Sequence, residues 1–117
     1  MPHGIEIDPN GNIWLTDVAL HQVFKFDFKI STEPQLVLGV RFEPGKDEKR
    51  FCKPTDIAIS KISGDIFVSD GYCNKRIVHF RSNGTFVKEI KDNQKPHSIA
   101  LIEKFNLVCT VSREEGR

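Results

Sequence analysis

The chain lacks long hydrophobic runs. No apolar stretch approaches the roughly 20 residues that a membrane-spanning helix needs, so no membrane segment is expected within it. It also lacks an excess of either charge: 17 Lys and Arg face 16 Asp and Glu, a net charge of +1. That balance gives no electrostatic case for nucleic acid or an anionic membrane surface as a partner. The one cluster of charge, Lys46-Asp47-Glu48-Lys49-Arg50, is broken by acids and reads as a solvated loop. Cysteine is scarce and odd in number; Cys52, Cys73 and Cys109 are spaced too widely for a zinc finger. There is one Tyr and one Trp. No stretch carries a helical apolar period, so no helix is expected. The start, Met1-Pro2-His3, has neither a charged n-region nor an apolar h-region. No signal peptide is expected there, and Met1 reads as an internal methionine.

What the chain has is repetition. Pro2-His3-Gly4-Ile5-Glu6-Ile7 returns as Pro54-Thr55-Asp56-Ile57-Ala58-Ile59 and as Pro96-His97-Ser98-Ile99-Ala100-Leu101. Each copy leads to a second phrase: Gly11-Asn12-Ile13-Trp14-Leu15-Thr16-Asp17, then Gly64-Asp65-Ile66-Phe67-Val68-Ser69-Asp70, then an eroded Phe105-Asn106-Leu107-Val108-Cys109-Thr110-Val111-Ser112. The period of roughly 40 to 50 residues is that of propeller blades. Short apolar runs separated by tight turns, the strongest of them Asn83-Gly84, predict four strands per unit. The fold class is therefore all-β, a partial β-propeller. Repeat units are expected at about 1–40, 53–92 and 95–117, with a Pro-, Gly- and charge-rich insertion at about 41–52. About two and a half blades do not close a ring, so residues 1–117 are expected to be a fragment of one larger domain.

Equivalent positions in a ring of blades face the same axis. His3 and His97 occupy one such position, with Thr55 between them, so the pair can converge as metal ligands. His21 and His79 fall outside it and are expected at the surface or behind the site. Asp17 and Asp70 close the second strand of their units and are expected to accept backbone N–H groups at turns. Asn83-Gly84-Thr85 is a glycosylation sequon in a turn.

The runs Thr16-Asp17-Val18-Ala19-Leu20-His21-Gln22-Val23-Phe24, Phe51-Cys52-Lys53-Pro54-Thr55-Asp56 and Ser69-Asp70-Gly71-Tyr72-Cys73-Asn74, with the two Pro-His phrases, resemble the peptidyl-α-hydroxyglycine α-amidating lyases. These form the second catalytic domain of the peptide-amidating monooxygenases. The resemblance runs along nearly the whole chain. It implies a six-bladed propeller of NHL-type repeats and cleavage of a peptidyl-α-hydroxyglycine into an amidated peptide and glyoxylate. It implies zinc held by three histidines, of which His3 and His97 match two, and calcium near the axis bound by the backbone carbonyl of Ile5. Tyr72 matches the active-site tyrosine and Arg113 a substrate-site arginine. Cys52 and Cys73 match a disulfide pair, and Cys109 a cysteine paired further along. The resemblance further implies a secretory-pathway or extracellular protein, in some cases with a monooxygenase domain attached. With one zinc ligand and half of the blades missing, this chain alone is expected to be inactive. Two other readings fit the repeats: a non-catalytic NHL propeller that binds a protein or peptide, and a calcium-dependent hydrolase. The second of these calls for clustered acids at the axial positions, where this chain has His and Thr.

Overall fold

A computed structural model describes residues 2–91, 96–102 and 107–112. Among them there is no helix. Ten strands form three antiparallel sheets, each a simple meander. The first contains β1 (Pro2–Ile7), β2 (Ile13–Asp17), β3 (Gln22–Phe26) and β4 (Leu36–Leu38). The second contains β5 (Asp56–Ile59), β6 (Ile66–Asp70), β7 (Arg76–Phe80) and β8 (Phe86–Lys91). The third pairs β9 (Pro96–Ile102) with β10 (Leu107–Ser112). The strands fall where the apolar runs placed them.

Turn chemistry fixes the register. In the β1–β2 turn the Asp8 carboxylate accepts the backbone N–H groups of Asn10 and Asn12, the Asn12 amide and the Trp14 indole N–H. Burial opposes ionisation of Asp8, but these hydrogen bonds together hold its carboxyl below the ordinary value. A depressed carboxyl stabilises the fold above the pKa of the unfolded chain, and that contribution is lost as pH falls through the folded value. Asp8→Ala is expected to cost about 1 kcal/mol at neutral pH. The difference from wild type should shrink near pH 3 in denaturant titrations. An equal difference at both pH values would show that the carboxylate charge plays no part.

The sheets pack face to face. Trp14, Val23 and Leu38 of the first sheet meet Ile57, Ile59, Ile66, Val68, Val78 and Phe80 of the second, with Phe51 from the connection between them. The other face of the second sheet, through Ala58, Ile77, Phe67 and Ile90, packs on Ile99, Leu101 and Val108 of the third. A sheet covered on both faces accounts for the continuous apolar runs Ile57-Ala58-Ile59 and Ile66-Phe67-Val68, which do not alternate. The first sheet differs. Cross-strand pairing puts Ile5, Leu15, Phe24 and Val37 on its outer face, with Ile7, Ile13 and Phe26. Within this chain Ile5 and Ile7 are each 64% exposed. That face has the composition of a surface against which another blade packs.

Hydroxyls stitch the sheets together. Thr16 and Ser69 hold the same place in their repeats, one residue before the terminal Asp. Thr16 donates to the Thr55 carbonyl and Ser69 to the Pro96 carbonyl, at the head of the next unit. Thr55, buried, donates to the Ser69 carbonyl and lies within reach of the Pro96 carbonyl. The small polar residues of the repeated phrase therefore join one blade to the next.

Candidate active site

The inner strands β1, β5 and β9 lie side by side, and their first residues come together at one end of the chain's inner edge. Gly4 is required there: a Cβ on it would lie 2.8 Å from the Thr55 carbonyl oxygen and 2.9 Å from the Asp56 Cα. This close approach brings His3 Nδ1 to 2.6 Å from the Thr55 carbonyl oxygen. A carbonyl only accepts, so Nδ1 carries a proton, which in the neutral ring leaves the lone pair on Nε2. That is the tautomer a metal-binding imidazole uses, with its other nitrogen tied to a carbonyl behind it.

Three rings meet at this point. The His3 and His97 ring centroids are 4.8 Å apart, His3 and Tyr72 5.9 Å, and Tyr72 and His97 6.0 Å, all edge to face. The repeat position thus brings the two histidines together, and the second blade adds Tyr72. His3 is exposed, whereas His97 and Tyr72 are half-buried. Among the described residues no group of three or more His, Cys, Asp or Glu side chains is arranged to hold a metal. Imidazole nitrogens are donors of the type that zinc takes.

Tyr72 sits on the loop between β6 and β7, which is held in several ways. Gly71 packs directly on the backbone of Pro96, leaving no room for a Cβ. Cys73 is bonded to Cys52, with their Cα atoms 5.5 Å apart. At the base of the loop, Asp70 accepts from the Cys52 N–H, the Asn74 amide and Arg76 Nε at 2.9, 2.7 and 2.9 Å. Burial raises the Asp70 carboxyl above its ordinary value, and the bonds from Asn74, Arg76 and Cys52 offset part of that rise. Asp17 takes the expected turn role, accepting the N–H groups of Ala19 and Leu20.

The other sequence candidates lie as follows. Ile5 is two residues along β1 from His3, and its side chain is exposed. Asn83 is exposed at its turn, its side-chain oxygen accepting the Thr85 N–H. Cys109 is exposed on β10. Arg113 lies outside the described residues. His21 accepts the Lys53 N–H at 3.0 Å. His79 is mostly buried, stacked on Phe67 and bonded to Asp65, not at the surface.

Sequence reasoning missed Arg76. It is 1% exposed and pairs with Asp70 and Glu89. The repeat register held a signal: Gln22, also buried, faces Asp17 in the first unit as Arg76 faces Asp70 in the second. The insertion also departs from a simply solvated loop. Arg76 reaches the carbonyls of Asp47 and Arg50, and Asn74 that of Gly45. Side chains in the cluster still face solvent, while its backbone is bonded to buried groups.

The NHL repeat family matches residues 1–26 and 51–80. The probable peptidyl-α-hydroxyglycine α-amidating lyase of Caenorhabditis elegans is 47% identical over 100% of this chain. The chain is a homologue of the amidating lyases. Peptidyl-glycine α-amidating monooxygenase B of Xenopus laevis is 48% identical, and lyase 2 of Drosophila melanogaster 46%, each again over the whole chain. The chain spans 14% of the frog protein, 35% of the nematode protein and 30% of the fly protein. Among solved structures, hydrazine synthase of Kuenenia stuttgartiensis has a TM-score of 0.75 at 16% identity, over 95% of this chain and 29% of that one. Virginiamycin B lyase of Staphylococcus aureus has a TM-score of 0.68 at 16% identity, over 95% and 34%. At such identities these two bear on the fold alone. This amidating-lyase homologue therefore places His3, His97 and Tyr72 on a scaffold of stacked NHL-type sheets.

Proposed function

We propose that this chain supplies part of the active site of a peptidyl-α-hydroxyglycine α-amidating lyase. The observation that carries the reading is the meeting of His3, His97 and Tyr72, with His3 held in the metal-binding tautomer by the Thr55 carbonyl. His3 and His97 would hold zinc together with a ligand from outside this chain, and the Ile5 carbonyl would contribute to a calcium site. Zinc, when bound, supplies a Lewis acid that lowers the pKa of a hydroxyl on its substrate.

The chain's own residues divide the remaining work. Tyr72, as general base or proton relay, takes the proton of the substrate α-hydroxyl. The oxygen's electron pair becomes the second bond of the glyoxylate carbonyl, and the C–N bond breaks. Its electrons go to the amide nitrogen, which takes the same proton back from Tyr72 to give the amidated peptide. Arg113 would hold the substrate carboxylate through paired hydrogen bonds. The disulfide keeps Tyr72 in place and fits an oxidising compartment, which supports a secretory-pathway or extracellular protein with a glycan at Asn83. A monooxygenase domain in the same protein is consistent with the longer relatives. Among the described residues the ligand set is incomplete, and the chain by itself is expected to be inactive.

Tyr72→Phe in the complete protein tests the assignment. Turnover should fall by roughly 10²- to 10⁴-fold, with bound zinc and KM little changed. Full turnover with phenylalanine there would remove Tyr72 from the proton transfer.

A further inference from the structure

Arg76 has no place in the chemistry above, yet few residues in the chain are as completely buried or as extensively bonded. Its Nε donates to Asp70 at 2.9 Å, and one terminal nitrogen donates to Glu89 at 2.9 Å. The other terminal nitrogen donates to the carbonyls of Asp47 and Arg50, at 3.0 and 2.6 Å. Asp70, 0% exposed, passes the connection on to the Cys52 N–H and the Asn74 amide, which flank the two halves of the disulfide. Asp70 and Arg76 are the two ends of the loop that carries Tyr72. Their ion pair therefore pinches the loop at its base, while Cys73 ties its middle to the insertion and Gly71 rests on Pro96, next to His97.

Stability alone is a poor reason for such a pair. Desolvating two charges costs about as much as their attraction returns, and apolar residues of similar volume often serve as well. A planar guanidinium with several directed donors fixes geometry instead. We propose that Arg76 is a positioning residue: acting through Asp70, Asn74 and the disulfide, it sets the distance between Tyr72 and the histidine pair. The catalytic part of this inference rests on the lyase reading, whereas the geometric part does not.

The test compares Arg76→Lys with Val78→Ala. The lysine keeps the charge and loses the fork. Val78→Ala weakens the core between the first two sheets, away from the loop. In the complete protein, Arg76→Lys should lower kcat by roughly 10- to 100-fold, the cost of a small displacement of a reacting group. KM should stay within about threefold. Nitration by tetranitromethane in the complete protein, followed by mass spectrometry on the peptide that carries Tyr72, reads the exposure of that ring directly. It should speed up several-fold in Arg76→Lys and stay unchanged in Val78→Ala, which should lose only thermal stability. If Arg76→Lys behaves like Val78→Ala in both readouts, the positioning role is overturned. If the complete wild-type protein releases no glyoxylate, the lyase reading fails, and nitration alone decides whether Arg76 holds the loop.

Discussion

Gly71→Ala is expected to be among the most damaging single substitutions in the chain. The added Cβ would overlap the Pro96 carbonyl oxygen and lie 2.7 Å from its carbon. Both are backbone atoms of β9, so no side chain can swing aside. The third sheet would have to move by more than an ångström, opening the seam formed by Ala58, Ile77 and Ile99. Overpacking of this kind costs about 3 kcal/mol or more. The shift would also carry His97 away from Tyr72. Gly11→Ala is the comparison: nothing lies near its Cβ, but its φ of 84° is left-handed. Strain of that kind costs about 1 kcal/mol. Denaturant unfolding of the two variants should separate them clearly. Equal losses would mean that the second and third sheets are not in backbone contact at this point.

The second large effect falls on the metal. His97→Ala in the complete protein should release zinc and lower turnover on the order of a thousandfold or more, since Lewis-acid stabilisation is worth several kcal/mol. His3→Ala should do the same, because both rings come from one repeat position. His79→Ala is the matched control. It removes a mostly buried imidazole that stacks on Phe67 and bonds to Asp65, neither of which belongs to the three-ring cluster. It should cost stability and leave metal content intact. Zinc retained by the His97 variant would place the metal elsewhere.

The repeated phrases made the inner strands legible. Register along β1, β5 and β9 follows from three copies of one pattern, and convergence of His3 and His97 follows from register. Asp17 was readable as a turn acceptor because a carboxylate after a strand has that local outlet, whereas Asp70 takes a backbone N–H from Cys52, 18 residues earlier in the chain, and not from its own turn. The Cys52–Cys73 bond and the place of Tyr72 came from the resemblance, since spacing alone does not choose among three cysteines. Arg76 was passed over, despite its register with Gln22, because a lone arginine at a strand start is ordinarily solvated. Its burial depends on carbonyls some 26 to 29 residues away in sequence. His79 was misplaced for the same kind of reason: the strand pairing that sets it opposite Phe67 also carries it toward the seam with the third sheet. Local pattern located the blades. The packing of Gly71 on Pro96 and the bonds of Arg76 to the insertion are non-local and emerged only when the sheets were stacked.

One measurement addresses the central claim directly. The complete protein is stripped of metal with a chelator, then given a peptidyl-α-hydroxyglycine with and without added zinc, and glyoxylate is followed. Release that disappears on stripping, returns with zinc, and is absent throughout in the His3→Ala, His97→Ala double variant is the predicted result. Absence of glyoxylate under all conditions, or release indifferent to chelation and to both histidines, would contradict the account and leave an NHL-type scaffold whose ring cluster serves another purpose.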